Sequence, residues 1–330
     1  MTTAVTCCST LQPESRSEWM RAIVVRKFGA TPELAEMPMP EPGPGAVRVQ
    51  LQAAGVNPFD RKVAAGILEG KLPHDFPMIL GVDGAGTVAT LGAGVSRFAV
   101  GDRVVGKFLT PPVGHGSFAE YAVLPEGGTL VPIPPGVPTV AAAALPTAGV
   151  TAQDLVDATH IEPGQTVLIV GATGGVGSFL VQLANIAGAH VIATARGSSA
   201  DQMTRLGAAQ TVDYTAGPVR DQVAAAHPDG IDVLFDLVSP PEALAELTTL
   251  VRDGGTVYST TFAADEDALR ARSIKGGNIE SQGKAPELAR LIQRVAAGDV
   301  VVPIDATVPL AEGPAVIGAP GARGKTVLAI

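Results

Sequence analysis

Residues 171–177, Gly-Ala-Thr-Gly-Gly-Val-Gly, put four glycines into seven positions. They directly follow the apolar run Thr166–Val170 and precede Ser178-Phe-Leu-Val-Gln-Leu-Ala-Asn-Ile-Ala-Gly188, which has the composition of a helix. Strand, glycine turn and helix, in that order, form the first half of a dinucleotide-binding unit. Glycines let the backbone come close to a pyrophosphate, and the free N–H groups at the helix start bind that anion. Thr173, Gly174, Gly175, Val176 and Gly177 are therefore the expected phosphate-binding residues. The spacing departs from G-x-G-x-x-G, because Ala172 stands at the first glycine, while Gly171, Gly174 and Gly177 give G-x-x-G-x-x-G. A second strand, His190–Ala195, follows. Sites for NAD place Asp or Glu at its end, on the ribose 2′-hydroxyl. Here Arg196-Gly-Ser198-Ser199 occupies that place and no carboxylate precedes Asp201. A guanidinium and the Ser198 hydroxyl suit a 2′-phosphate, by charge-assisted hydrogen bonds. The expected cofactor is NADPH rather than NADH, and the expected chemistry is hydride transfer.

The elements that must carry these residues divide the 330-residue chain unevenly. Residues 20–143 are short apolar runs punctuated by Gly and Pro, such as Ala46–Gln52, Gly86–Leu91 and Asp102–Val105, a β-rich, barrel-like pattern. From about Ala141 the texture becomes alanine-rich and helical. Strands centred on Ile169, Ile192, Val212, Leu234 and Val257 then alternate with helices to about residue 282. That alternation predicts a parallel sheet covered on both faces. Residues 285–297 read as an amphipathic helix and Lys325–Ile330 as a last strand that rejoins the first domain. The fold class is α/β, with a β-rich domain from 20–143 and 283–330 and a doubly wound nucleotide-binding domain from 144–282. Residues 1–19 read as a disordered extension.

Hydrophobic residues make up 46% of the chain and charged ones 17%, so a sizeable core can form. The net charge is −9 with no basic stripe, which disfavours nucleic acid as a partner. No apolar run reaches the length of a membrane span. The cysteines, Cys7 and Cys8, are adjacent and offer no disulfide framework, which fits a cytoplasmic protein. The five histidines show no paired spacing of metal ligands. None of Tyr121, Tyr214 and Tyr258 is followed by Lys four positions later, as a short-chain reductase requires. Gly324-Lys-Thr326 lacks the first glycine of a phosphate loop, since Ala319 stands there.

Residues 20–330 resemble the medium-chain dehydrogenase/reductase superfamily, and within it the zinc-free quinone oxidoreductase branch. The matching segments are Gly55-Val-Asn-Pro-Phe-Asp60, Leu80-Gly-Val-Asp-Gly-Ala-Gly-Thr-Val88, Val100–Val105, Gly116–Tyr121, Leu145-Pro-Thr-Ala-Gly-Val-Thr-Ala152, the glycine turn, Leu206–Ala208, Val212–Tyr214 and Arg323-Gly-Lys325. The resemblance implies a GroES-like catalytic domain beside a Rossmann domain, joined edge to edge into a homodimer. It places Asn57 and Thr151 at the nicotinamide as candidate catalytic residues. It places Tyr214 near the adenine-side phosphate, Val238 against the nicotinamide ring, and Thr260 and Lys325 among the cofactor contacts. Zinc-dependent relatives carry a Cys ligand where Asn57 stands and a His ligand where Val82 stands, so no metal is expected. The implied reaction is NADPH-dependent reduction of a quinone or an α,β-unsaturated carbonyl compound. The alternatives are an enoyl-thioester or polyketide-type alkene reductase, or an NADPH-binding structural or sensing protein. Leu68 stands where thioester reductases carry a candidate tyrosine donor, and Lys62 where bacterial quinone reductases often carry Tyr. Asp60 matches the family pattern, without an assigned proton transfer.

Overall fold

The structure is a computed structural model that describes residues 18–319, 321 and 323–330. Cys7, Cys8 and the expected extension, up to residue 17, lie outside the described residues; Trp19, also expected in that extension, instead opens the first strand, Trp19–Val25.

The nucleotide-binding half is a six-stranded sheet in the spatial order Gln210–Val212, His190–Thr194, Thr166–Val170, Ile231–Asp236, Val251–Ser259, Lys275–Asn278. Every neighbouring pair runs parallel. The chain starts in the middle, winds outward one way, then returns and winds the other way. The order reverses between Thr166–Val170 and Ile231–Asp236, and the crevice beyond the carboxyl ends of strands at such a point is where ligands bind. The central strands Thr166–Val170 and Ile231–Asp236 are buried almost throughout, because both faces of the sheet are covered there. Successive side chains point to opposite faces. Val167 and Ile169 join Phe179, Leu183, Leu155, Leu288 and Leu291 in one core. Leu168 and Val170 join Val223, Leu244, Leu247 and Leu269 in the other.

The helix Ala285–Ala297 forms over the residues that the pattern predicts. It buries Leu288, Leu291 and Ile292, the i, i+3, i+4 stripe of an amphipathic helix, and stops at Gly298, whose φ of 83° only glycine adopts freely.

The β-rich half contains a seven-stranded sheet ordered Ile304–Pro309, Lys325–Ala329, Ala46–Val56, Asp83–Leu91, Arg103–Lys107, Leu130–Pro132, with Tyr121–Pro125 also on Ala46–Val56. A four-stranded sheet, Glu33–Pro38, Trp19–Val25, His74–Ile79 and Val113–His115, lies beside it in the chain. The last strand pairs antiparallel with Ala46–Val56, with Thr326 opposite Val56. That single pairing delivers Lys325 to the start of the helix Pro58–Ala64, at Asn57.

Candidate active site

The glycine turn shows why a side chain is excluded there. A Cβ on Gly177 would stand 2.3 Å from the Gly171 carbonyl oxygen, closer than any real contact. Gly171 itself has φ of 86°. The helix Gly175–Ile186 follows Gly174 in extended conformation, and no side chain caps its start, the end of a helix that attracts anions. This wall of backbone fits a pyrophosphate.

Around the turn, the expected site residues fall into three groups along the carboxyl edge of the sheet. On the first-strand side, Lys325 runs against the helix start, because a Cβ on Gly175 would stand 3.0 Å from Lys325 Cδ. On the side of the strands Ile231–Asp236 and Val251–Ser259 stand Val238 and Thr260. Val238 is 62% exposed, and its Cγ1 would be 2.8 Å from a Cβ on Gly171. Thr260 donates its N–H to the Asp236 carbonyl at 3.1 Å. Asp236 is buried and its carboxylate accepts from Ser239 N at 3.1 Å and from the hydroxyls of Ser259 and Thr261 at 3.4 Å, which holds both loops in place. At the opposite end, beyond His190–Thr194 and Gln210–Val212, lie Arg196, Ser198 and Tyr214.

Asn57 lies 3% exposed at the start of the helix Pro58–Ala64. Its backbone N–H donates to Asp60 Oδ2 at 2.7 Å, half of a capping box. Its side-chain Oδ1 accepts from Lys325 Nζ at 2.5 Å. Its Nδ2 donates to Asp83 Oδ2 at 3.0 Å and to the Gly55 carbonyl at 3.3 Å. Both amide hydrogens are thus engaged inside the protein. Asp83 in turn accepts from Thr147, through its N–H at 3.0 Å and its hydroxyl at 2.6 Å. Thr151, one turn further on, donates its hydroxyl to the Thr147 carbonyl at 2.7 Å. Asn57 and Thr151 are therefore brought together through Asp83 and Thr147.

Thr147 sits in a π-helical turn, Leu145–Gly149, that opens the helix Val150–Thr159. Such turns recur at functional sites because the widened loop re-aims backbone groups. Here the Thr147 N–H turns toward Asp83.

The ionisable core of this network is compact. Asp60, Asp83 and Lys325 are each almost wholly buried. Burial pushes the Asp60 carboxyl up to about 7, with the Asp83 charge adding to it, against the Asn57 N–H and the Lys325 ammonium. Burial likewise lowers Lys325, while Asp83 and Asp60 hold it up. Sequence reading named Lys325 and Asn57 but gave no role to Asp83 or Thr147, although both stand in segments that carry the resemblance. Their signal was tertiary: Thr147 and Asp83 are 64 residues apart.

Of the two positions where the resemblance would set zinc ligands in other members, Asn57 is the amide just described and Val82 is buried and apolar, its N–H donating to Asp60 Oδ1 at 3.1 Å. Among the described residues, no group of three or more His, Cys, Asp or Glu could hold a metal ion. No helix among them is long and apolar enough to cross a membrane.

Comparison with known proteins bears on the family and the fold. The family profile for the alcohol dehydrogenase GroES-like domain matches residues 43–135. The profile named zinc-binding dehydrogenase matches residues 175–285. The chain is 38% identical over 204 residues to a chloroplast envelope quinone oxidoreductase homolog of Arabidopsis thaliana, covering 59% of this chain and 61% of that protein. The chain thus spans about three fifths of the length of that relative. It is 30% identical to an NADPH-dependent alkenal/one oxidoreductase, chloroplastic, of the same plant, over 79% of this chain and 67% of that one. Among solved structures, the quinone oxidoreductase from Coxiella burnetii superposes with a TM-score of 0.84 at 26% identity, covering 94% of this chain and 99% of that one. The chain belongs to the medium-chain dehydrogenase/reductase superfamily, on its quinone oxidoreductase branch.

Proposed function

We propose that this protein is a zinc-independent reductase that uses NADPH to reduce a quinone or an α,β-unsaturated carbonyl compound. The observation that carries this reading is the uncapped, glycine-walled helix start, set against the buried Asn57–Lys325–Asp83 network. The relatives named as quinone and alkenal/one oxidoreductases support it.

A bound nicotinamide supplies the hydride. The chain's residues do the rest. In this reading the N–H groups of the helix Gly175–Ile186 bind the pyrophosphate, and the exposed Val238 is the side chain that packs against the ring. Arg196 and Ser198 bind the 2′-phosphate. Lys325 and Asp83 grip the Asn57 amide from its two ends and fix it in one orientation at the nicotinamide end of the site. Leu68 packs against the apolar cluster of Val63, Met78 and Phe118, so the chain offers no hydroxyl at that position. This weighs against the thioester-reductase alternative. We further propose a homodimer, and a reducing compartment such as the cytoplasm.

The test is loss of NADPH absorbance over a panel of quinones, enones and enoyl thioesters, with and without exhaustive chelation. A quinone or enone should accelerate oxidation, and chelation should leave the rate unchanged. Tight NADPH binding with no acceptor turned over would replace this reading with a binding role, and stoichiometric zinc would overturn the chemistry.

A further inference from the structure

The carboxyl edge of the sheet, at the end away from Asn57, holds an opposing pair of charges. Arg196 ends the loop after His190–Thr194 and starts the helix Gly197–Arg205. Its Nε donates to Tyr214 Oη at 2.8 Å, and the guanidinium carbon stands 5.8 Å from the centre of that ring. Tyr214 thereby fixes a side chain that would otherwise swing freely in solvent. Next to it, Asp213 arrives from the end of Gln210–Val212. Its Oδ2 accepts from the Gly197 N–H at 2.9 Å, the first residue of that helix. Its Oδ1 accepts from the hydroxyl and N–H of Thr215 at 2.6 and 2.8 Å. These bonds, led by the Thr215 hydroxyl, hold the carboxyl below its ordinary value, so it stays charged near neutrality.

The end of the second strand is where a NAD-type site places its acid, and this chain has arginine there. The fold nevertheless returns a carboxylate to that spot from the third strand. Asp213 takes the Gly197 N–H, and the Ser199 N–H is spent on the Arg196 carbonyl at 2.8 Å. The helix start therefore offers a phosphate less than an open one would.

We propose that Asp213 is a specificity-determining residue: cofactor choice is a competition between Arg196, which attracts a 2′-phosphate, and Asp213, which repels it, so that NADH is accepted alongside NADPH. This rests on the cleft being a nicotinamide dinucleotide site. A phosphate there carries nearly two charges of the same sign as Asp213. Both groups face water, so the repulsion is screened and its effect on affinity is modest, roughly twofold to tenfold.

The experiment is direct titration of NADPH and of NADH into the wild-type protein, Asp213→Asn and Arg196→Ala, by calorimetry at two salt concentrations. Asparagine retains an acceptor for Gly197 N, and a thermal melt checks that the fold is kept. Asp213→Ser serves if it is not. Asp213→Asn should tighten NADPH roughly twofold to tenfold, more at low salt, with NADH unchanged or weakened. Arg196→Ala should weaken NADPH roughly tenfold to hundredfold and spare NADH. An unchanged NADPH-to-NADH ratio in the Asp213 variants, with Arg196→Ala behaving as stated, overturns the role of Asp213 and leaves the cofactor reading intact. Failure of the wild-type protein to bind either nucleotide overturns both.

Discussion

Asp60 is a carboxyl group held among a carboxylate, an ammonium and two backbone N–H groups, out of reach of water. Its ordinary value is 3.8 and burial raises it to about 7. Between those values the folded chain keeps a proton that the unfolded chain has released. Stability from this group is therefore complete below about pH 4 and is lost as pH rises through about 7. Urea unfolding of the wild-type protein and Asp60→Asn across pH 4–8 checks this. The difference between them should change with pH in that window and level off above it. A constant difference would show that Asp60 keeps its unfolded value. Gly177 makes a second residue-scale case. Because a Cβ there would meet the Gly171 carbonyl at 2.3 Å, Gly177→Ala must shift the strand-to-helix turn. Nucleotide affinity should fall more than about tenfold, because misaligned N–H groups lose charge-assisted bonds. Titration with NADPH measures it, and unchanged affinity would mean that the turn does not cradle the phosphates.

The π-helical turn Leu145–Gly149 acts as an element and not as a set of residues. It aims the Thr147 N–H and hydroxyl together at Asp83, which then fixes the Asn57 amide. Removing the hydroxyl as Thr147→Val leaves Asp83 one donor short in a buried site. The expected cost is about 1–3 kcal/mol of stability, by loss of a bond to a buried charge. Turnover should fall with it while NADPH affinity holds, since the nucleotide-binding turn is untouched. Denaturant melts and the split between turnover number and NADPH dissociation constant check both parts. Asn57→Ala probes the same network from the start of the helix Pro58–Ala64. Because Asn57 is buried and links Lys325 to Asp83, its loss should lower stability as well as rate.

At the scale of the molecule, the sheet of the nucleotide-binding half ends on Lys275–Asn278, which has no further strand beside it among the described residues. The strand is short and opens with lysine, features that blunt an edge but do not close it. We expect two copies to pair there, extending the sheet across a twofold axis. Sedimentation at micromolar concentration should give a dimer. A monomer at that concentration would count against the pairing.

Much of the architecture was legible in the sequence because its causes are local. Apolar runs bounded by glycine marked Thr166–Val170 and its partners, and the spacing of Leu288, Leu291 and Ile292 marked the helix Ala285–Ala297. The glycines of residues 171–177 marked a tight strand-to-helix turn, and at Gly171 and Gly177 the backbone leaves no room for a side chain. The place of Arg196, between the second strand and the helix Gly197–Arg205, was set by equally local signals. What only the tertiary structure decided is where charges that are distant in sequence meet. Lys325 reaches Asn57 across 268 residues because the last strand pairs with Ala46–Val56. Asp213 returns a carboxylate to the helix that Arg196 begins, 16 residues from Gly197. Period and turn chemistry depend on neighbours along the chain. The charge state of Asp60 and the balance between Arg196 and Asp213 depend on burial and on distance in space, which exist only once the strands have paired.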